Sequence, residues 1–147
     1  MTQPQYVTTS VGWGVLHLFC KVTDRTDGQR VVAAVKQIQD SDHQVLCVAL
    51  FGHKADIGFM ALGPDLWRLR RLQSQLQQAG LVVADSYISM TETSEYAPDL
   101  PEEMKTPRLH PELPPEGKNA FCFYPMSKRR ESGGNWYTLP YETRRDL

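Results

Sequence analysis

The sequence predicts an α+β fold in which a four-stranded antiparallel sheet carries two helices on one face. Three observations predict it. Four apolar runs have the length and alternation of strands, two stretches between them carry an apolar stripe at helical spacing, and their order is β-α-β-β-α-β, the ferredoxin-like arrangement.

Gly12 to Val22 is the first predicted strand. Leu16, Leu18, Cys20 and Val22 share one face and Trp13, Val15, His17 and Phe19 the other, so both faces should be covered. Thr26 followed by Gln29 has capping-box spacing and predicts a helix start. Val31, Val32, Val35 and Ile38 give that helix its stripe, ending near Asp40-Ser41-Asp42. Val45 to Phe51 is a second strand, Gly52-His53-Lys54-Ala55-Asp56 a turn, and Ile57 to Leu62 a third strand paired with the second. Gly63-Pro64-Asp65 opens a second helix with proline in its first turn and Leu66, Leu69, Leu72, Leu76 and Ala79 on its buried side. Gly80 stops it, and Leu81 to Thr91 is the fourth strand. The sheet face away from the helices is unusually apolar, which predicts a second sheet over it, from another domain or another subunit.

Residues 1–94 thus form one ferredoxin-like domain. Six prolines fall within residues 95–118, which predicts an extended connector with neither helix nor central strand. Residues 119–147 resume strand character and read as the start of a second unit.

Bulk composition excludes several function classes. The chain has 147 residues, 41% hydrophobic and 22% charged, with a formal net charge of −1, so no nucleic-acid coat or polybasic anchor is indicated. There is no apolar run long enough for a membrane span and no signal-peptide pattern at Met1-Thr2-Gln3-Pro4-Gln5, and a cytoplasmic location is expected. Cys20, Cys47 and Cys122 lack paired spacing and read as buried free thiols. His17 reads as a satisfied core histidine and His53 as a turn residue. Neither has a second ligand at useful spacing, so no metal site is expected. Glu92 and Glu95 form no acid/base pair, and Trp136 and Tyr137 read as packing.

The stretch most suggestive of chemistry is Phe121-Cys122-Phe123-Tyr124-Pro125-Met126-Ser127-Lys128-Arg129-Arg130. It reads as a buried strand that ends at a Tyr-Pro pair and runs into cations. An apolar wall, a phenol and fixed positive charge suit an anionic ligand. Arg129 and Arg130 are expected to face solvent.

Three ordered segments carry a resemblance: Ser86 to Tyr96, Phe123-Tyr124-Pro125-Met126-Ser127-Lys128-Arg129-Arg130, and Asn135-Trp136-Tyr137-Thr138-Leu139-Pro140. Together they resemble the coproheme decarboxylases of the chlorite-dismutase-like superfamily, and the turn Gly52 to Asp56 is similar to that family's turn between its second and third strands. The resemblance implies a subunit of two ferredoxin-like halves in a homopentamer, a haem-biosynthetic role, and iron coproporphyrin (coproheme) as the bound group. It implies removal of two propionate carboxyls as CO2, with hydrogen peroxide as oxidant, to give haem b. Tyr124 matches the family's redox tyrosine and Lys128 its propionate-holding lysine. Met126, with Pro125 and Ser127, would line the porphyrin site. Arg108-Leu109-His110-Pro111 looks like the family's second propionate segment, with Arg108 in place and His110 where the family has tyrosine. The family's axial histidine, in a His-Gly pair after the Asn-Trp-Tyr segment, would by count fall past Leu147. The chain therefore reads as an N-terminal portion, inactive alone, that needs a complementary C-terminal half. The alternative is a non-catalytic ferredoxin-like module that binds porphyrin or serves assembly through its apolar sheet face.

Overall fold

The computed structural model describes residues 6–39, 42–96, 99–128 and 130–146. The expectations for Met1–Gln5, the helix end at Asp40-Ser41, Pro98 and the solvent-facing Arg129 lie outside the described residues.

Four strands and two helices follow one another as predicted: β1 (Gly14–Lys21), α1 (Gly28–Gln39), β2 (Gln44–Ala49), β3 (Ile57–Gly63), α2 (Leu66–Gln78) and β4 (Val82–Met90). The strands form one antiparallel sheet in the order β2-β3-β1-β4. The core is a single layer between sheet and helices. Leu16, Leu18 and Cys20 of β1, Phe59 and Ala61 of β3, Ala34 and Ile38 of α1, and Leu69, Leu72 and Leu76 of α2 meet there. Burying side chains of this kind contributes about 1.5–3 kcal/mol each. Val32 is 52% exposed and lies outside the α1 stripe, whose buried members are Ala34 and Ile38.

Both helix starts differ in detail from expectation. Asp27, not Thr26, caps α1, because its Oδ1 accepts from the Gln29 and Arg30 amides at 3.0 and 3.2 Å. Thr26 Oγ1 instead accepts from the Thr23 amide and donates to the Gly80 carbonyl, tying the start of α1 to the end of α2. Gly80 has φ +90°, and a Cβ there would collide with the Arg25 carbonyl, so the residue that ends α2 must be glycine. Pro64 precedes the α2 cap rather than lying in its first turn. The cap is Asp65, whose Oδ1 accepts from the Trp67 amide at 2.9 Å and whose own amide donates to Nε2 of buried His43 at 3.2 Å.

The connector contains a helix, α3 (Glu102–Leu109), contrary to expectation. Pro101 precedes it, Glu102 and Glu103 occupy its positive first turn, and Arg108 its negative last turn. Pro107 removes one backbone donor, a loss that a helix of only 8 residues survives near its end. Gln44 then clamps the chain to the sheet: its Nε2 donates to the Pro111 carbonyl at 2.9 Å and its Oε1 accepts from the Leu113 amide at 2.7 Å.

No second sheet covers the outer face of the first among the described residues. Val15, His17 and Leu62 on that face are nonetheless 5%, 8% and 0% exposed. Part of the cover is residues 119–128, which lie in no helix or strand. A 3-10 turn (Trp136–Thr138) and the short α4 (Tyr141–Arg145) follow.

Candidate functional site

Each predicted site residue sits on an element beyond β4. Arg108 lies in the last turn of α3, exposed. Its helix is fixed from below by Thr91, whose Oγ1 accepts from the Trp13 amide and donates to the Leu109 carbonyl, both at 2.7 Å. His110 packs edge-on against Trp13, centroids 4.9 Å apart. Beside them Trp13, His43, Gln44, Pro64 and His110 line a groove of about 530 Å³.

Tyr124 follows a pair of inward-facing rings. Phe123 packs on His17, Phe19 and Tyr87 at 4.6, 5.1 and 5.1 Å, and Phe121 lies 6.3 Å from His17. Exposure alternates along this stretch, with Phe121 and Phe123 half-buried and Cys122 and Tyr124 exposed, so Cys122 and Tyr124 turn away from the sheet. Tyr124 is 70% exposed and Met126 85% exposed. The expected buried strand is therefore a strap whose alternate residues anchor it. The same alternation overturns the expectation of three buried thiols: Cys122 is exposed, as is Cys47 on the edge strand β2, and only Cys20 is buried. Burial, with Cys47 nearby, pushes the Cys20 thiol up to about 11, which keeps it protonated and inert.

Lys128 ends the strap. Its Nζ stands 4.5 Å above the Trp136 ring. Trp136 belongs to a cluster that sequence reasoning did not assemble. The Arg144 guanidinium lies 5.1 Å from the Trp136 ring and 5.8 Å from the Tyr96 ring, and pairs with Glu95 at 3.6 Å. Tyr141 stacks on Tyr96 and donates to the Glu95 carbonyl at 2.9 Å, and Arg130 covers Tyr137 at 4.6 Å. Trp136 and Tyr137 thus pack, as expected, but against cations. The Tyr141/Arg144 spacing on one helical face was the available signal; their partner Glu95 lies too far back in the chain to be inferred.

The structure does not join these groups. No hydrogen bond, ion pair or ring contact links Arg108, Tyr124 and Lys128 among the described residues, and Pro125 and Ser127 are exposed between them. Two exposed cations, a phenol and the apolar Met126 are donors suited to a flat, apolar ligand with acidic arms. They offer no axial ligand for a metal. His17 and His43 are buried within the fold, and the described residues contain no cluster of metal-ligating side chains. His17 is buried as expected but incompletely satisfied, since its Nδ1 has no hydrogen-bond partner, and burial holds its imidazole below the ordinary histidine range. No helix of the described residues is long and apolar enough to cross a membrane.

Comparison with known proteins supplies the context. A solved heme-binding protein from Thermus thermophilus, identified functionally from its structure, superimposes with a TM-score of 0.74 at 27% sequence identity. The match takes in 97% of this chain and 67% of that one, so the chain spans about two-thirds of its relative's length. The family profile described as chlorite dismutase matches residues 25–147, from the start of α1 through the strap and the aromatic–cation cluster. The chain belongs to the chlorite dismutase family.

Proposed function

We propose that the whole protein is a haem-binding enzyme that decarboxylates iron coproporphyrin III to haem b with hydrogen peroxide. The observation that supports this reading is the strap: Tyr124 and Met126 stand exposed on a segment whose Phe123 packs on the sheet, and Lys128 follows, over the Trp136 ring. Membership of a haem-enzyme family and likeness to a heme-binding protein support it.

In this reading Arg108 and Lys128 hold propionate carboxylates by charge-assisted hydrogen bonds. Met126, flanked by Pro125 and Ser127, lies against the porphyrin plane. The bound iron porphyrin supplies the oxidising equivalents that peroxide delivers. Tyr124 would give up the hydrogen atom of its Oη and recover one from the propionate chain; the carbon radical left there would pass its remaining electron to the oxidising equivalents on the porphyrin, so that the carboxyl leaves as CO2 and a vinyl group forms. Each propionate consumes one peroxide and one proton and yields two waters, so electrons and atoms balance. Residues 119–147 would open the haem-binding unit, and a ligand to hold the iron would come from outside the described residues or from another copy in a homo-oligomer.

The test is direct. Iron coproporphyrin III and peroxide given to the whole protein should yield haem b, and Tyr124→Phe should slow this roughly hundredfold or more. Undiminished turnover in Tyr124→Phe would remove the tyrosine from the mechanism. It would favour the second reading, a non-catalytic porphyrin-binding or assembly module, which the 70% exposure of Tyr124 favours.

A further inference from the structure

The strap that bears Tyr124 is held in an unusual way. No backbone hydrogen bond ties residues 119–128 to the sheet among the described residues. Phe123 takes over that role. Its ring sits in a three-sided cup on the outer sheet face, 4.6 Å from His17, 5.1 Å from Phe19 and 5.1 Å from Tyr87. His17 and Phe19 are alternate residues of β1, and Tyr87 is the β4 partner of His17, so the cup is built from ladder positions of the sheet itself. The next hold along the chain is Lys128 on Trp136. Between the two, Tyr124 to Ser127 are exposed and make no hydrogen bond among the described residues.

We propose that Phe123 is the positioning residue for Tyr124. Its seat in the His17–Phe19–Tyr87 cup fixes the height and direction at which the phenol stands off the sheet. The inference rests on the reading of Tyr124 as the reactive group. The physical reason is geometric. An extended segment without ladder bonds can slide and roll, and a slip of one residue would turn the phenol onto the sheet face. An aromatic ring held on three sides blocks both movements.

Two measurements on the same variants test this. Trypsin cleavage after Lys128 reports how firmly the strap is held, and steady-state decarboxylation reports where the phenol stands. Phe123→Ala should accelerate cleavage after Lys128 about tenfold or more, the equivalent of losing one or two aromatic pair contacts. It should lower kcat about tenfold while leaving KM for iron coproporphyrin within about twofold, since the carboxylate grips are untouched. Phe123→Leu, which keeps apolar bulk in the cup, should restore most of both. Phe19→Ala removes one wall of the cup from a half-buried position and gives a smaller change in the same direction, a check that holds even if Phe123→Ala fails to fold. Cleavage after Lys128 no faster in Phe123→Ala and Phe19→Ala than in the parent overturns the anchor. A fall in kcat/KM carried by KM alone overturns the positioning role. Turnover that survives Tyr124→Phe sinks the functional reading alone, because cleavage after Lys128 still decides whether the anchor exists.

Discussion

Among the described residues, those between Gly14 and Met90 are held by paired strands and a closed apolar core, whereas those of 99–128 and 130–146 are held, beyond the backbone bonds within their own short helices, by rings, cations and a few side-chain hydrogen bonds. The first region has Leu18, Leu62 and Leu76 fully buried. The second has no fully buried large side chain among the described residues, and its two helices contain no buried residue. The difference separates scaffold from site. Residues that would meet a ligand lie on the region that contributes least to stability, where exposed polar side chains cost the fold little.

The comparison can be broken most severely through the core. Leu18→Ala should cost about 2–5 kcal/mol in urea unfolding, and the aromatic cluster should be lost in the same transition, because the second region has no core of its own. Fluorescence of Trp136 that survives the unfolding of β1 would show that the second region is independently stable. A smaller effect comes from pH. Burial lowers the pKa of His17 and His43 from 6.5, so the unfolded chain binds these protons more tightly. Stability is therefore fully present above that value and lost as pH falls below it. A urea series from neutral to mildly acid pH should show the loss, and His17→Leu should shrink it; a pH-independent midpoint across that range would contradict the burial. The smallest effect on stability is expected at the site. Lys128→Ala should shift unfolding by less than about 0.5 kcal/mol. In the proposed function it should still weaken binding of iron coproporphyrin, measured by absorbance titration, so the same substitution separates the two regions sharply.

The scaffold was legible in the sequence because its signals are local. Alternation over Leu16, Leu18 and Cys20 and a helical stripe over Leu69, Leu72 and Leu76 each survive in the structure. Details failed where two residues compete for one job, as Thr26 and Asp27 do for the α1 cap. The helix α3 was missed because Pro101 and Pro107 read as breakers, although one sits outside the helix and the other near its end. The strap was read as a strand because Phe121 and Phe123 alternate inward whether or not the backbone joins a ladder. Tyr124 and Lys128 stood out as site candidates from residue chemistry, a phenol beside cations at the end of an apolar run, and from the family motif around them. Their exposure, and the seat of Lys128 on a ring shared with Arg144, depend on contacts between distant parts of the chain that no local pattern encodes.

Thr91 gives the two cations of the proposed site unequal stiffness. Through a single hydroxyl it rivets the foot of β1 to the last turn of α3, so the Arg108 helix rides rigidly with the sheet. Lys128 instead hangs from a face-on contact with an indole, which tolerates sliding. In the proposed function, one carboxylate grip would be fixed to the sheet and the other free to follow the acidic arm it holds.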